Sequence, residues 1–136
     1  MNHRMMGRTS GGFTTCLVLR ADLDGTLIVA NAGHFVPYVN GNELHVESGL
    51  PLGIDAATTY PESHFQLAQN EQLTLVTDGV VEARSKSGEL FGFERTAAVA
   101  TGSAESIAEA AQSFGQEDDI TVISVNRTAA LEPVTV

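Results

Sequence analysis

Positive charge is scarce in this sequence. Seven Lys and Arg stand against 17 Asp and Glu, for a formal net charge of −10. Nucleic-acid binding needs a basic face to meet the phosphate backbone, so that class of partner is set aside. Long apolar runs are missing as well. The strongly apolar stretches last only a few residues, far short of the roughly 20 that a membrane-spanning helix requires. The opening Met1-Asn2-His3-Arg4-Met5-Met6 carries a basic residue with no apolar core behind it. No secretory signal is therefore expected, no membrane contact by this segment, and the cytoplasm is the expected compartment. Cysteine occurs once, which excludes an internal disulfide. Cys16 lies in the apolar run Thr15-Cys16-Leu17-Val18-Leu19 and reads as a small strand residue, not a nucleophile. Repeats, linkers and low-complexity segments are also lacking.

What is present is a globular composition, 43 % apolar and 18 % charged over 136 residues, enough for one domain or part of one. The first half has strand chemistry. Residues 13–22 form a β-rich run, Asp24-Gly25 offers a hairpin turn, and residues 26–32 return. Residues 35–39 and 43–47 are the arms of a second hairpin around Asn40-Gly41; residues 64–68 and 72–77 follow, with Gly49-Leu50-Pro51-Leu52-Gly53 as a loop. The period then changes. Apolar or small residues at 93, 96, 97 and 100, and at 107, 110, 111 and 114, predict helices over about 93–100 and 103–114. Ser103 can cap the second and Gly115 can end it. A last strand spans 120–125, and the tail after Arg127 is expected to fray. Strands first and helices later give an α+β layer fold: an antiparallel β-sandwich flanked by helices.

Two acidic corners adjoin strands. Asp78-Gly79 ends the strand 72–77, and Glu117-Asp118-Asp119 begins the strand 120–125. Carboxylates held on strands suit a hard cation such as Mg²⁺ or Mn²⁺, which prefers oxygen ligands. Two such ions can activate water and neutralise a phosphate ester. The competing reading makes Asp78 a turn residue and Asp118 a loop cap. Glu82 and Arg84 follow Asp78 and read as solvated in preference to touching substrate. His34 has the chemistry of a general acid but reads as a turn histidine, and His45 and His64 lack metal-ligand spacing.

Asp22-Leu23-Asp24-Gly25-Thr26 raises a rival. It fits the D-x-D-G-T pattern of haloacid-dehalogenase-like phosphatases, with Asp22 as nucleophile and Asp24 as acid/base, and Thr77, Lys86 and Asp118-Asp119 as further parts. Its context is wrong. Such a nucleophile ends a buried parallel strand, yet Arg20 lies two residues before Asp22, and the strand-forming run Leu27-Ile28-Val29-Ala30 leads to another turn. A plain hairpin explains the motif.

The segment Leu75-Val76-Thr77-Asp78-Gly79-Val80-Val81-Glu82-Ala83-Arg84 resembles the signature of metal-dependent serine/threonine protein phosphatases, in the bacterial branch of the stage II sporulation E phosphatases. Asn31-Ala32-Gly33-His34, Gly49-Leu50-Pro51-Leu52-Gly53, Gly88-Glu89-Leu90-Phe91-Gly92-Phe93-Glu94-Arg95 and Asp118-Asp119-Ile120-Thr121-Val122 agree, in order, from about Gly12 to Val125. The resemblance implies two packed antiparallel sheets with a two-ion Mn²⁺ or Mg²⁺ site at one end. Asp78 and Asp118 match metal-ligating aspartates, and Asp119 fills a neighbouring position that reaches the site through water. The implied substrates are phosphoserine or phosphothreonine on regulatory proteins such as anti-sigma-factor antagonists, in signalling. The family's first half also carries an Asp-Gly in a segment like Gly-Asp-Val-Ser-Gly, and nothing like it precedes residue 13 here. Residues 1–127 are therefore expected to be the C-terminal portion of such a domain, incomplete, with weak or no activity alone, and 128–136 a disordered tail. Self-association is expected from uncovered sheets. A non-catalytic regulatory or dimerisation module of the same fold is the alternative.

Overall fold

A computed structural model describes residues 1–7 and 11–128. Twelve elements follow one another. A short helix α1 (Asn2–Met5) precedes β1 (Cys16–Ala21) and β2 (Thr26–Ala32). Then come β3 (Tyr38–Val39), β4 (Asn42–Glu43), β5 (Ser48–Gly49), β6 (Ser63–Gln66) and β7 (Gln72–Val76). The chain turns helical in α2 (Asp78–Val81), α3 (Gly92–Val99) and α4 (Ala104–Gly115), and closes with β8 (Val122–Asn126).

The strands build two four-stranded sheets. In the first, β2 pairs β1 on one side and both β5 and β6 on the other; the second has the order β4-β3-β7-β8. Alternation along β7 decides the layers. Leu73 and Leu75 face a cluster with Leu27, Leu19, Phe65 and Val125, which is the interface between the sheets. Val76 faces Val80, Val81, Phe91, Ile107 and Ala111, the core between the second sheet and the helices. Thr74 is fully buried on that helical side and donates its hydroxyl proton to Ala100 O at 2.7 Å. The second sheet is thus the middle layer. The α+β sandwich expected from the sequence is the fold observed, with one difference: Asn31↔Ser48 and Ala32↔Gly49 pair β2 with β5 in parallel.

The turns form as their residues dictate. Asn40 and Gly41 both have positive φ (48° and 81°), the geometry of a type I′ turn whose twist matches that of its strands. The arms are shorter than expected. Pro37 has no N–H to give a ladder, so pairing begins only at Tyr38, and Pro37 O instead accepts from Leu44 N. Ser103 caps α4 by accepting from Ser106 N at 3.1 Å, and Gly115 is that helix's last residue, as expected. The helix α2 was not legible in the sequence: four residues are too few for a helical period to register. The expected tail falls largely at residues 129–136, outside the described residues.

Candidate functional site

The sandwich has two ends, and β8 runs from one to the other. Asp118 lies just before β8, beside the end of β7. Asp22 and Asp24 lie at the other end, where a cleft gathers Ala21, Asp22, Gly25, Val125, Asn126 and Arg127. A five-residue strand separates the two ends by about 15 Å. The dehalogenase-like constellation is therefore not assembled: Asp22 is remote from Thr77 and Asp118. The motif is the hairpin joining antiparallel β1 and β2. Asp22 N donates to Thr26 O at 2.9 Å, Asp22 pairs with Arg20, and Asp24 Oδ1 accepts from Thr26 N at 2.9 Å. That backbone hydrogen bond holds the Asp24 carboxyl below its usual range, as befits a turn acceptor.

At the opposite end, threonines tie the two acidic corners together. Thr77 N donates to Thr121 O at 3.1 Å, and Thr121 N donates to Thr77 Oγ1 at 3.0 Å. The β7–β8 pairing is thereby carried past Val76↔Val122 to Thr77, the residue that precedes α2. Gly79 lies directly against the Asp119 carbonyl, so close that a Cβ on Gly79 would overlap that group. Asp78 Oδ1 accepts from Gly79 N at 3.0 Å, and Asp118 Oδ1 accepts from Asp119 N at 2.7 Å. Each aspartate thus commits one carboxylate oxygen to the backbone.

Two adjoining clefts result. One, of about 420 Å³, is lined by Gly79, Glu82, Arg84, Glu117 and Asp118. The other, of about 300 Å³, is lined by Phe13, Thr15, Gly33, His34, Phe35, Thr77, Asp78 and Glu82. Glu82 belongs to both. Asp78 and Asp118 therefore line neighbouring clefts, and Asp119 contributes its backbone to the wall. Asp78, Glu82, Glu117 and Asp118 set four carboxylates against the single guanidinium of Arg84, which is itself engaged with Glu117 at 3.4 Å and with Gly88 O. Such a field favours a cation and repels a bare phosphate. Glu82 and Glu117 are the residues that reading the sequence undervalued. Glu82 lies four residues after Asp78, one helical turn on, which is the signal that α2 would have supplied.

Carboxylates are the donor type a hydrated hard cation uses, because Mg²⁺ prefers oxygen and keeps several waters. Among the described residues, no group of three or more His, Cys, Asp or Glu side chains could hold a metal ion. A pair of divalent ions would need more ligands than the described residues gather. His45 and His64 are exposed, and His64 only approaches Glu62. No helix among the described residues is long and apolar enough to cross a membrane.

Comparison with known proteins bears on this geometry. The RsbU and RsbW domains of Rv1364c from Mycobacterium tuberculosis match with a TM-score of 0.69 and 23 % identity, over 96 % of this chain and 41 % of that one. The phosphatase domain of the cell fate determinant SpoIIE from Bacillus subtilis, presoaked with Mn, matches at 0.61 and 22 %, over 88 % and 58 %. The SiaA-PP2C domain of Pseudomonas aeruginosa matches at 0.61 and 24 %, over 76 % and 47 %. At these identities the likeness establishes a shared fold. The chain spans 41 %, 58 % and 47 % of these three solved chains. Comparison with curated proteins finds no match. A family model described as stage II sporulation protein E (SpoIIE) matches residues 1–128. With nearly the whole chain matched, and a PP2C-like fold holding its two acidic corners at one end, the chain belongs to the SpoIIE family of PP2C-like phosphatases.

Proposed function

We propose that the complete domain to which this chain contributes is a metal-dependent phosphoprotein phosphatase that hydrolyses phosphoserine or phosphothreonine. Asp78 and Asp118 are its metal-facing carboxylates, and Asp119 acts through water. The observation that carries this reading is the Thr77–Thr121 pairing, which fixes the two acidic corners side by side. Mn²⁺ or Mg²⁺, when bound, supplies an activated water and neutralises the phosphate ester. The chain's own contribution is to hold the carboxylates just beyond β7 and just before β8, with one oxygen of each oriented by a backbone N–H and the other left for the ion. The Mn-presoaked SpoIIE relative supports manganese as the ion. The resemblance to the sporulation-type branch supports a phosphorylated regulatory protein in the cytoplasm as substrate, such as an anti-sigma-factor antagonist.

Activity of this chain alone is expected to be weak or nil. Two divalent ions about 4 Å apart repel by about 4 kcal/mol even at the dielectric constant of water, four times the unit-charge value, and more in a partly buried site. Asp78 and Asp118 compensate only part of that. The check is p-nitrophenyl phosphate and phosphopeptide hydrolysis with and without Mn²⁺, by this chain and by the full-length gene product. Robust metal-dependent turnover by both would show that the ligand set is complete as it stands. Inactivity of both would favour the non-catalytic module of the same fold.

Self-association belongs to the same reading. Phe13, Val18 and Ile123 are each more than half exposed, and β1 and β8 end their sheets among the described residues. Light scattering at tens of micromolar, a range chosen to populate weak dimers, should give a mass above the monomer's 14.4 kDa. A monomer throughout would count against it.

A further inference from the structure

His34 has no role in the reading above, and its surroundings are more elaborate than a turn requires. Asn31 is 1 % exposed and spends its whole side-chain amide on this one residue. Its Oδ1 accepts from His34 N at 2.8 Å, and its Nδ2 donates to His34 O at 2.8 Å. A buried amide is costly unless both its ends are satisfied, so the arrangement commits a core position to fixing the backbone of His34. Gly33 completes the bend at φ 71°, where a Cβ would collide with Pro51, and its N–H donates to Ser48 Oγ at 3.2 Å.

The ring is fixed too. Nδ1 lies 2.9 Å from the Phe35 carbonyl oxygen. A carbonyl only accepts, so Nδ1 carries a proton and the tautomer is set. Nε2 is left as the ring nitrogen with no protein partner among the described residues. His34 lines the cleft that also holds Thr77, Asp78 and Glu82.

We propose that His34 is a catalytic residue of this cleft, its Nε2–H giving the leaving serine or threonine oxygen its proton. The proposal rests on the phosphatase reading. In the step, a water oxygen bonds to phosphorus as the bond from phosphorus to the seryl oxygen breaks. The electron pair stays on the seryl oxygen and the Nε2 proton caps it. The ring regains a proton from the water consumed, by way of solvent. The Phe35 carbonyl accepts from Nδ1–H before and after transfer, and Asp78 and Glu82 are the titratable groups that share its cleft.

The test separates this role from a structural one. In ¹⁵N-labelled chain, long-range ¹H–¹⁵N correlation of the neutral imidazole should report the Nδ1–H tautomer; an Nε2–H tautomer overturns the proposal. In the full-length gene product, His34→Asn keeps a donor for Phe35 O and removes the proton donor, and His34→Ala removes both. Each should lower Mn²⁺-dependent kcat on a phosphoserine peptide by about 100-fold or more, the range for general acid catalysis. Hydrolysis of p-nitrophenyl phosphate should change little, because nitrophenolate leaves without a proton. Equal losses on both substrates, or none on either, overturn the proposal. A wild-type gene product inactive on both substrates sinks the phosphatase reading itself, and this inference with it.

Discussion

Asp78→Asn in the full-length gene product should abolish Mn²⁺-dependent phosphatase activity while leaving the fold intact. The side chain is exposed and keeps its size, so no packing is lost. Its Oδ1 accepts a single hydrogen bond, from the next backbone N–H, and an amide oxygen can accept that bond equally well. What disappears is the negative charge at the free oxygen. Partners that merely orient a metal ligand are worth about 10–100-fold in metal affinity or activity, so removing a ligand itself should cost more than about 100-fold. Asp118→Asn should behave alike, because its carboxylate is held in the same way. The measurements are hydrolysis rates across a Mn²⁺ titration and the denaturant midpoint of each variant. Substantial activity with unchanged Mn²⁺ dependence would remove these aspartates from the site.

Gly79→Ala carries the largest expected effect on structure. Val80 and Val81, one and two residues on, are both at most 4 % exposed, so the helix turn they anchor has little freedom to shift. The added methyl would overlap the Asp119 carbonyl, which belongs to backbone and gives way only if the strand end moves. Overpacking of this kind costs about 1–3 kcal/mol, and more where backbone must yield. The Thr77–Thr121 bonds should open with it, splaying the two acidic corners. Urea denaturation should show a lower midpoint at unchanged slope, and Mn²⁺-dependent activity of the full-length gene product should fall further than stability alone accounts for. An unperturbed midpoint would mean that the approach of α2 to the β8 corner is looser than described. Gly88→Ala is the matched control, since nothing lies within 4 Å of a Cβ there, although its φ of 87° adds some strain of its own.

Much of the architecture follows from local chemistry. The hairpins at Asp24-Gly25 and Asn40-Gly41, the alternation of β7, and the cap-to-glycine span of α4 are each specified by residues within a few positions of one another, which is why sequence alone sufficed for them. The acidic corners were legible as well, since Asp78 and Asp118 sit at the boundaries where apolar strands stop. Tertiary structure decided what depends on distant segments. Pro37 shortened a strand by withholding its N–H from a ladder whose partner lies across the turn. The D-x-D-G-T segment proved to be a turn because its strands pair antiparallel, a fact of partnership that local pattern does not contain. Glu82 and Glu117 joined the clefts because a four-residue helix and a strand end were brought together by Thr77 and Thr121, 44 residues apart. His34 was visible as a histidine after a glycine; that Asn31 and Phe35 hold its backbone and its ring at the cleft is set by burial and hydrogen bonding, which only the folded chain supplies.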